Sequence, residues 1–86
     1  MTDKILIIAN PTSGGGRGRR SAQRAAGQIL AEGGQVDIAC TEAPGDAASL
    51  AAGARDEGIK RIAACGGDGT IHEVIGAIAG SDMELG

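Results

Sequence analysis

The sequence predicts an α/β protein in three layers, with a parallel sheet between helices, and three observations support this prediction. Short apolar runs of strand length alternate with longer segments in which apolar residues recur every three or four positions. The resulting order, β-α-β-α-β-α, favours right-handed crossovers between parallel strands. Glycine accounts for 16 of the 86 residues and separates these segments, while the absence of Phe, Tyr and Trp leaves a core of Ala, Ile, Leu and Val.

The first strand and helix are predicted at residues 4–9 and 18–32. The run KILIIA is continuous and rich in β-branched residues, which is typical of a strand buried on both faces. Pro11 and the glycines after it end the strand. In the helix, the alanines and Ile29 recur on one face, and two glycines at 33–34 follow its end.

Two further strands are predicted at residues 35–40 and 59–65. Asp46 is placed to cap the helix between them, which Gly58 ends. A third helix is predicted at residues 70–79, where Thr70 and Glu73 form the TxxE pattern of a capping box.

Charge and composition argue against nucleic acid as a partner. The net charge is −3 and no aromatic side chain is available to stack on bases. The basic residues are unevenly distributed, since four of the eight lie close together at Arg17, Arg19, Arg20 and Arg24. This cluster is either the solvated face of a helix or a patch that faces an anion.

Cys40 and Cys65 are predicted to be small buried thiols, because each ends an apolar run. Together with one His they are too few for a structural zinc site, so no metal ligand is assigned. The apolar run near the N-terminus is too short for a signal peptide or a membrane span. These observations favour the cytoplasm.

The loops after the three strands, at residues 10–17, 40–45 and 66–70, are predicted to share one edge of the sheet, where ligands bind in such folds. Two of them are rich in glycine and precede helix N-termini, an arrangement suited to phosphate. Neither contains GxxxxGK[ST] or GxGxxG, so a Walker loop and a dinucleotide fingerprint are not indicated. The alternative is that the glycines only allow close packing.

Three polar residues in these loops or in the helix that follows the last of them have two interpretations each. Asn10 is either the residue that caps a turn or one that hydrogen-bonds a ligand. Asp68 is either an ordinary turn residue or a functional carboxylate, which beside phosphate needs a metal, a ribose hydroxyl or a nearby cation. His72 is either a surface or rim residue or a catalytic base, and no catalytic residue is assigned.

The motif NPTSG at residues 10–14, Thr41, and GGDGT at residues 66–70 followed by Glu73 together resemble the diacylglycerol kinase catalytic domain. This family includes bacterial lipid kinases and sphingosine kinases and is related to NAD kinases. The resemblance implies a partial Rossmann-like nucleotide-binding domain with strand order 3-2-1, ATP and Mg²⁺ as cofactors, and transfer of the γ-phosphoryl group to a lipid hydroxyl. It implies nucleotide contacts at Asn10, Pro11, Thr12, Ser13, Gly14, Thr41, Gly66, Gly67, Asp68, Gly69, Thr70, Ile71 and His72.

Members of this family continue with a GTxND-type loop and a β-rich domain that carries the base acting on the lipid. Residues 1–86 are therefore expected to be the N-terminal part of the ATP-binding domain, inactive alone. Many members have Asn at the position of His72 and Asn-Gly at 76–77, which leaves the type of lipid open. The implied partners are ATP, a diacylglycerol-like lipid, a membrane surface contacted peripherally, and a second copy paired through an open strand-1 edge. Two alternatives are an NAD kinase-like or other nucleotide enzyme, and a non-catalytic α/β domain.

Overall fold

The computed structural model describes residues 4–85, so the domain predicted for residues 1–86 extends beyond the described residues at both ends. Its four strands are β1 (Ile5–Ala9), β2 (Val36–Cys40), β3 (Arg61–Cys65) and β4 (Glu84–Leu85). Its three α-helices are α1 (Arg17–Ala31), α2 (Asp46–Asp56) and α3 (Asp68–Ile78), and a 3-10 turn covers Ser13–Gly15. The predicted α/β alternation is confirmed.

All strand pairs are parallel, and the strand order is β2-β1-β3-β4. The predicted order 3-2-1 is therefore wrong, because β1 lies between β2 and β3. Ile5 of β1 is aligned with Val36 on one side and with Arg61 on the other. The position of β1 agrees with its composition, since the strand with the longest apolar run gains most from burial on both faces. The open β1 edge on which the predicted homodimer depended does not exist in this sheet.

A short fourth strand follows α3, where the sequence predicted none. The Glu84 N–H donates to the Lys60 carbonyl at 2.7 Å, and Ile62 is aligned with Leu85. Gly80, at φ 79°, makes the turn out of α3. Two residues are too few to show a strand period, and for this reason the pattern gave no signal.

The core has one apolar cluster on each face of the sheet. On one face α1 packs its alanines against β1, around the fully buried Ile7. On the other face α2 and α3 pack against Ile8 and Ile62, with Val74 fully buried. Each fully buried isoleucine contributes about 1.5–3 kcal/mol to stability. Alanine predominates where the helices meet the sheet, which lets the backbones approach closely.

The helix N-termini differ from the prediction. Gly45 is the N-cap of α2, and Asp46 is the first helical residue, whose Oδ2 accepts the N–H groups of Glu42 at 2.8 Å and Ala43 at 2.9 Å. Helix α3 begins at Asp68, two residues before the predicted start, and has no side-chain cap. The predicted capping box is thus absent, because its Thr already lies inside the helix.

Cys40 is exposed and Cys65 is half-buried, so the prediction of two buried thiols is wrong for Cys40. Cys40 lies at the end of the edge strand β2, where only one neighbouring strand covers it. Among residues 4–85, no helix is both long enough and apolar enough to cross a membrane.

Candidate functional site

The loops after β1, β2 and β3 surround a cleft of about 700 Å³ at the carboxyl edge of the sheet. Its volume lies within the range of about 300–1,000 Å³ that is usual for small-molecule sites. The lining residues are Asn10, Pro11, Thr12, Ser13, Thr41, Glu42, Ala43, Pro44, Ala47, Gly67, Gly69, Thr70 and Glu73. The three loops predicted to share an edge therefore do so.

Asn10 organises the loop after β1. Its side-chain oxygen accepts the Thr12 backbone N–H at 3.3 Å and the Thr12 hydroxyl at 3.1 Å. Its backbone N–H donates to the Cys65 carbonyl at 2.9 Å, which joins this loop to the end of β3. Of the two interpretations of Asn10, the structure supports turn capping, and the side-chain NH₂ makes no such bond within the turn.

The glycines of the loop after β3 have different surroundings. A Cβ at Gly66 would lie 2.9 Å from Thr70 Oγ1 and 3.2 Å from the Asn10 Cβ, so this glycine serves close packing. A Cβ at Gly67 would lie 3.7 Å from Ser13 Oγ, and one at Gly69 would meet nothing within 4 Å. The two glycine-rich loops therefore approach each other, with open space at Gly69.

Gly18 is a packing residue that the sequence analysis did not single out. A Cβ there would lie 2.1 Å from the Asn10 carbonyl oxygen and 3.3 Å from that of Cys65. The first turn of α1 thus lies directly on the carboxyl ends of β1 and β3. A glycine in the first turn of a predicted helix was the only signal, and it is a weak one.

The remaining wall of the cleft is formed by the loop after β2, the start of α2 and one side chain of α3. Thr41 is half-buried and donates its N–H to the Ala9 carbonyl at 2.8 Å. Glu73 is also half-buried, and its Oε1 accepts the Ala48 N–H at 3.4 Å. Together with Glu42, this carboxylate makes the α2 side of the cleft acidic.

The structure brings most of the predicted site residues together. The predicted residues that line the cleft are Asn10, Pro11, Thr12, Ser13, Thr41, Gly67, Gly69 and Thr70. Those that do not line it are Gly14, Gly66, Asp68, Ile71 and His72. Lining residues absent from the prediction are Glu42, Ala43, Pro44, Ala47 and Glu73. Glu73 was singled out as a capping residue and as part of the family motif but not as a site residue, because the contact between α2 and α3 has no local sequence signal.

Two of the predicted site residues, His72 and Asp68, are exposed. His72 is exposed, which agrees with a surface position and gives no support to a role as base. Asp68 is exposed at the first position of α3. Within residues 4–85, no cluster of three or more His, Cys, Asp or Glu side chains is placed to hold a metal ion.

The arginine cluster of α1 lies beside the cleft rather than in it. Arg17, Arg19, Arg20 and Arg24 are all exposed. The ion pairs found among the described residues involve other bases, namely Lys4 with Asp37, Arg55 with Asp56 and Arg61 with Glu84. Both interpretations of the cluster, a solvated helix face and an anion-facing patch, therefore stay open.

Three comparisons with known proteins indicate the same protein family. A family model described as the diacylglycerol kinase catalytic domain matches residues 4–86. A diacylglycerol kinase of Staphylococcus saprophyticus is 35% identical over 79 residues, which cover 92% of the chain. A Cronobacter sakazakii protein named "Probable lipid kinase YegS-like" is 42% identical over 53 residues, which cover 62% of the chain. The crystal structure of a diacylglycerol kinase from Bacillus anthracis matches 96% of the chain with a TM-score of 0.75 at 26% identity.

These relatives are much longer than the segment they share with this chain. The matched segment is 26% of the Staphylococcus saprophyticus protein and 18% of the Cronobacter sakazakii protein. It is 31% of the Bacillus anthracis structure.

Proposed function

Because the chain belongs to the diacylglycerol kinase catalytic domain family, we propose that it supplies the phosphate-binding loops of an ATP-dependent lipid kinase. In the proposed reaction, the lipid hydroxyl oxygen forms a bond to the γ-phosphorus of ATP and gives up its proton, the bond from that phosphorus to the β–γ bridging oxygen breaks, and ADP leaves with those electrons while the proton passes to water. The names of the relatives, diacylglycerol kinase and lipid kinase, support a diacylglycerol-like acceptor.

The observation that carries this proposal is the meeting of two glycine-rich loops at the N-terminus of α3. Gly67 is the N-cap of this helix, and no side chain caps it. Ser13 lies across from Gly67, and the space beside Gly69 is open. Backbone N–H groups at a helix N-terminus, together with the helix dipole, favour a phosphate group. Such fixed donors stabilise the charge that develops during phosphoryl transfer, so the contribution of this segment is positioning and charge neutralisation.

The loop residues also fit a Mg²⁺ ion that enters with ATP. Magnesium in kinases is commonly held by one or two carboxylates, by substrate phosphates and by water. Asp68 is an exposed carboxylate at the first position of α3, and although it does not line the cleft itself, it lies between Gly67 and Gly69, which do. Asp68 would therefore hold the ion through water, and the ion would neutralise phosphate charge.

Replacement of Gly69 by Ala tests this function, with Gly76→Ala in the same helix as the matched control. Neither added methyl group meets an atom within 4 Å, and neither glycine requires a left-handed φ. Both variants should therefore fold, with helix stability raised by about 0.5–1 kcal/mol. Only Gly69→Ala places its methyl group in the cleft, so it should weaken Mg·ATP binding to the 86-residue chain at least about tenfold.

The binding is measured by isothermal titration calorimetry, with far-UV circular dichroism as a control for folding. The proposal fails if the wild-type chain does not bind Mg·ATP. It also fails if Gly69→Ala and Gly76→Ala bind with equal affinity, because the ligand would then lie elsewhere.

A further inference from the structure

The two sides of the cleft have unlike charge. On the α2 side Glu42 and Glu73 contribute carboxylates to the lining. The lining that comes from the loop after β1 and from the start of α3 carries no charge and presents hydroxyl, amide and backbone groups, at Asn10, Pro11, Thr12, Ser13, Gly67, Gly69 and Thr70. A ligand with one anionic half and one neutral half would therefore bind with different energies in its two possible orientations.

Glu73 is the carboxylate on the α2 side that comes from α3. It belongs to α3 but reaches α2, where its Oε1 accepts the N–H of Ala48, the third residue of that helix. N–H groups in the first turn of a helix are those with no partner inside the helix, and these are the groups that an incoming phosphate would use. At α2 one of them already faces a carboxylate. Asp46 likewise accepts the two backbone N–H groups that precede this helix in the loop after β2.

We propose that Glu73 determines the orientation of the nucleotide, by excluding phosphate from the N-terminus of α2 and by accepting a hydrogen bond from a ribose hydroxyl. The phosphates then lie beside Gly67 and Gly69, and the nucleoside lies beside α2. This inference rests on the proposed function, because it assigns a direction to the same ligand in the same cleft.

The chemistry of a half-buried carboxylate supports both parts of the proposal. A carboxylate and a phosphate a few ångströms apart repel each other, and the repulsion grows as the surroundings become less polar. A carboxylate has only acceptor oxygens at neutral pH, so it pairs well with the hydroxyl donors of a ribose. Inorganic tripolyphosphate has no such hydroxyl, and its repulsion from the carboxylate is not offset.

The test compares wild-type chain with Glu73→Gln, Glu73→Asp and the control Glu57→Gln, which changes the same charge at the far end of α2. The probes are Mg·ATP, Mg·tripolyphosphate and adenosine, titrated calorimetrically into each variant. The glutamine oxygen can still accept the Ala48 N–H, so Glu73→Gln should fold, and thermal unfolding checks this.

For wild type, ATP should bind more tightly than tripolyphosphate. In Glu73→Gln this preference should fall by about tenfold, because ATP loses a charge-assisted hydrogen bond while tripolyphosphate loses a repulsion. Adenosine should bind more weakly in the same variant. Glu73→Asp, which keeps the charge, should retain most of the preference, and Glu57→Gln should retain all of it.

The inference is overturned if Glu73→Gln shifts the affinities for ATP and tripolyphosphate equally, or if Glu57→Gln has the same effect. In either case Mg·ATP binding by wild type would leave the proposed function standing. Failure of wild type to bind Mg·ATP would overturn both.

Discussion

Glycine has two separate uses at the carboxyl edge of the sheet. Gly18 and Gly66 are required by packing, since a Cβ at either would lie within 3.0 Å of another atom. Gly69 has no such neighbour, so its lack of a side chain leaves space in the cleft and is not needed for a packing contact. The sequence alone does not distinguish the two uses of glycine, because they depend on which loop lies next to each of the three residues.

Replacement of Gly18 by Ala should strongly destabilise the fold. The added methyl group would meet the backbone oxygen of Asn10 at 2.1 Å, and a backbone atom cannot move aside as a side chain can. We expect a loss of about 3 kcal/mol or more in the free energy of unfolding, at the upper end of the cost of overpacking. Gly27→Ala, in the same helix with open space around it, should instead gain up to about 1 kcal/mol. Urea unfolding followed by circular dichroism distinguishes the two, and equal stability would contradict the packing described here.

The two cysteines should differ in reactivity. Burial raises the pKa of the Cys65 thiol above its ordinary value of 9.0, while Cys40 is exposed. Iodoacetamide at pH 8 should therefore modify Cys40 faster, because the thiolate is the reactive form and access is greater. Peptide mass spectrometry over time measures both rates, and faster modification of Cys65 would contradict the prediction.

The same shift in pKa predicts how stability depends on pH. Because the folded-state pKa of Cys65 is the higher one, the unfolded chain loses this proton first as the pH rises. The contribution of the protonated Cys65 thiol to the free energy of unfolding is fully present below about pH 9, and it is lost as the pH rises through the folded-state pKa. Cys65→Ala should therefore show a smaller loss of stability above this pH than Cys40→Ala, and equal slopes would count against it.

At the scale of the element, α2 shows how a residue can be assigned to the right end of a helix and the wrong contact. Asp46 lies one position after the N-cap for which it was predicted, and its carboxylate accepts the N–H groups of Glu42 and Ala43 instead of those in the first turn. The sequence pattern for a cap records residue type and spacing, and it does not show where the preceding loop turns. Helix α3 is similar, because the contact of Glu73 with α2 depends on how two helices pack.

Asp46→Ala should loosen the loop after β2. Two hydrogen bonds to a charged acceptor are lost, and we expect a decrease of about 1–2 kcal/mol in the free energy of unfolding. Asp46→Asn keeps an acceptor oxygen and should lose less. Amide hydrogen exchange at Glu42 and Ala43 should speed up in the alanine variant, whereas unchanged exchange there would show that these bonds do not hold the loop.

At the scale of the whole molecule, the sequence predicted the α/β alternation but not the arrangement of the strands. Apolar runs predict β1, β2 and β3 because each of these strands contributes apolar side chains to the core. Strand order depends on which crossovers bring helices to each face, and no residue in a single strand specifies this. The central position of β1 nevertheless agrees with its apolar composition, a signal that the resemblance-based order 3-2-1 overrode.

Because β1 lies inside the sheet, the two edge strands are β2 and β4. The longer one, β2, carries a charged residue that opposes pairing with a second chain. Asp37, the second residue of β2, pairs with Lys4 at 3.0 Å, while Ile38 beside it is exposed. Charged residues on an edge strand oppose pairing with a second chain. Asp37→Val should therefore promote association, seen by light scattering at tens of micromolar, with Asp56→Val on α2 as the control. Equal association of the two variants would show that the edge charge has no such role.

The central position of β1 has a consequence for the order in which the chain folds. Ile5 is aligned with Arg61, so β1 completes its pairing only after the residues through β3 have been synthesised. Contacts between residues distant in sequence form slowly, because the intervening chain must be closed into a loop first. The hydrogen bond from Asn10 to Cys65 and the contact of Gly18 with both strand ends depend on the same late pairing. During synthesis on the ribosome, the cleft should thus form only after β3 has been made.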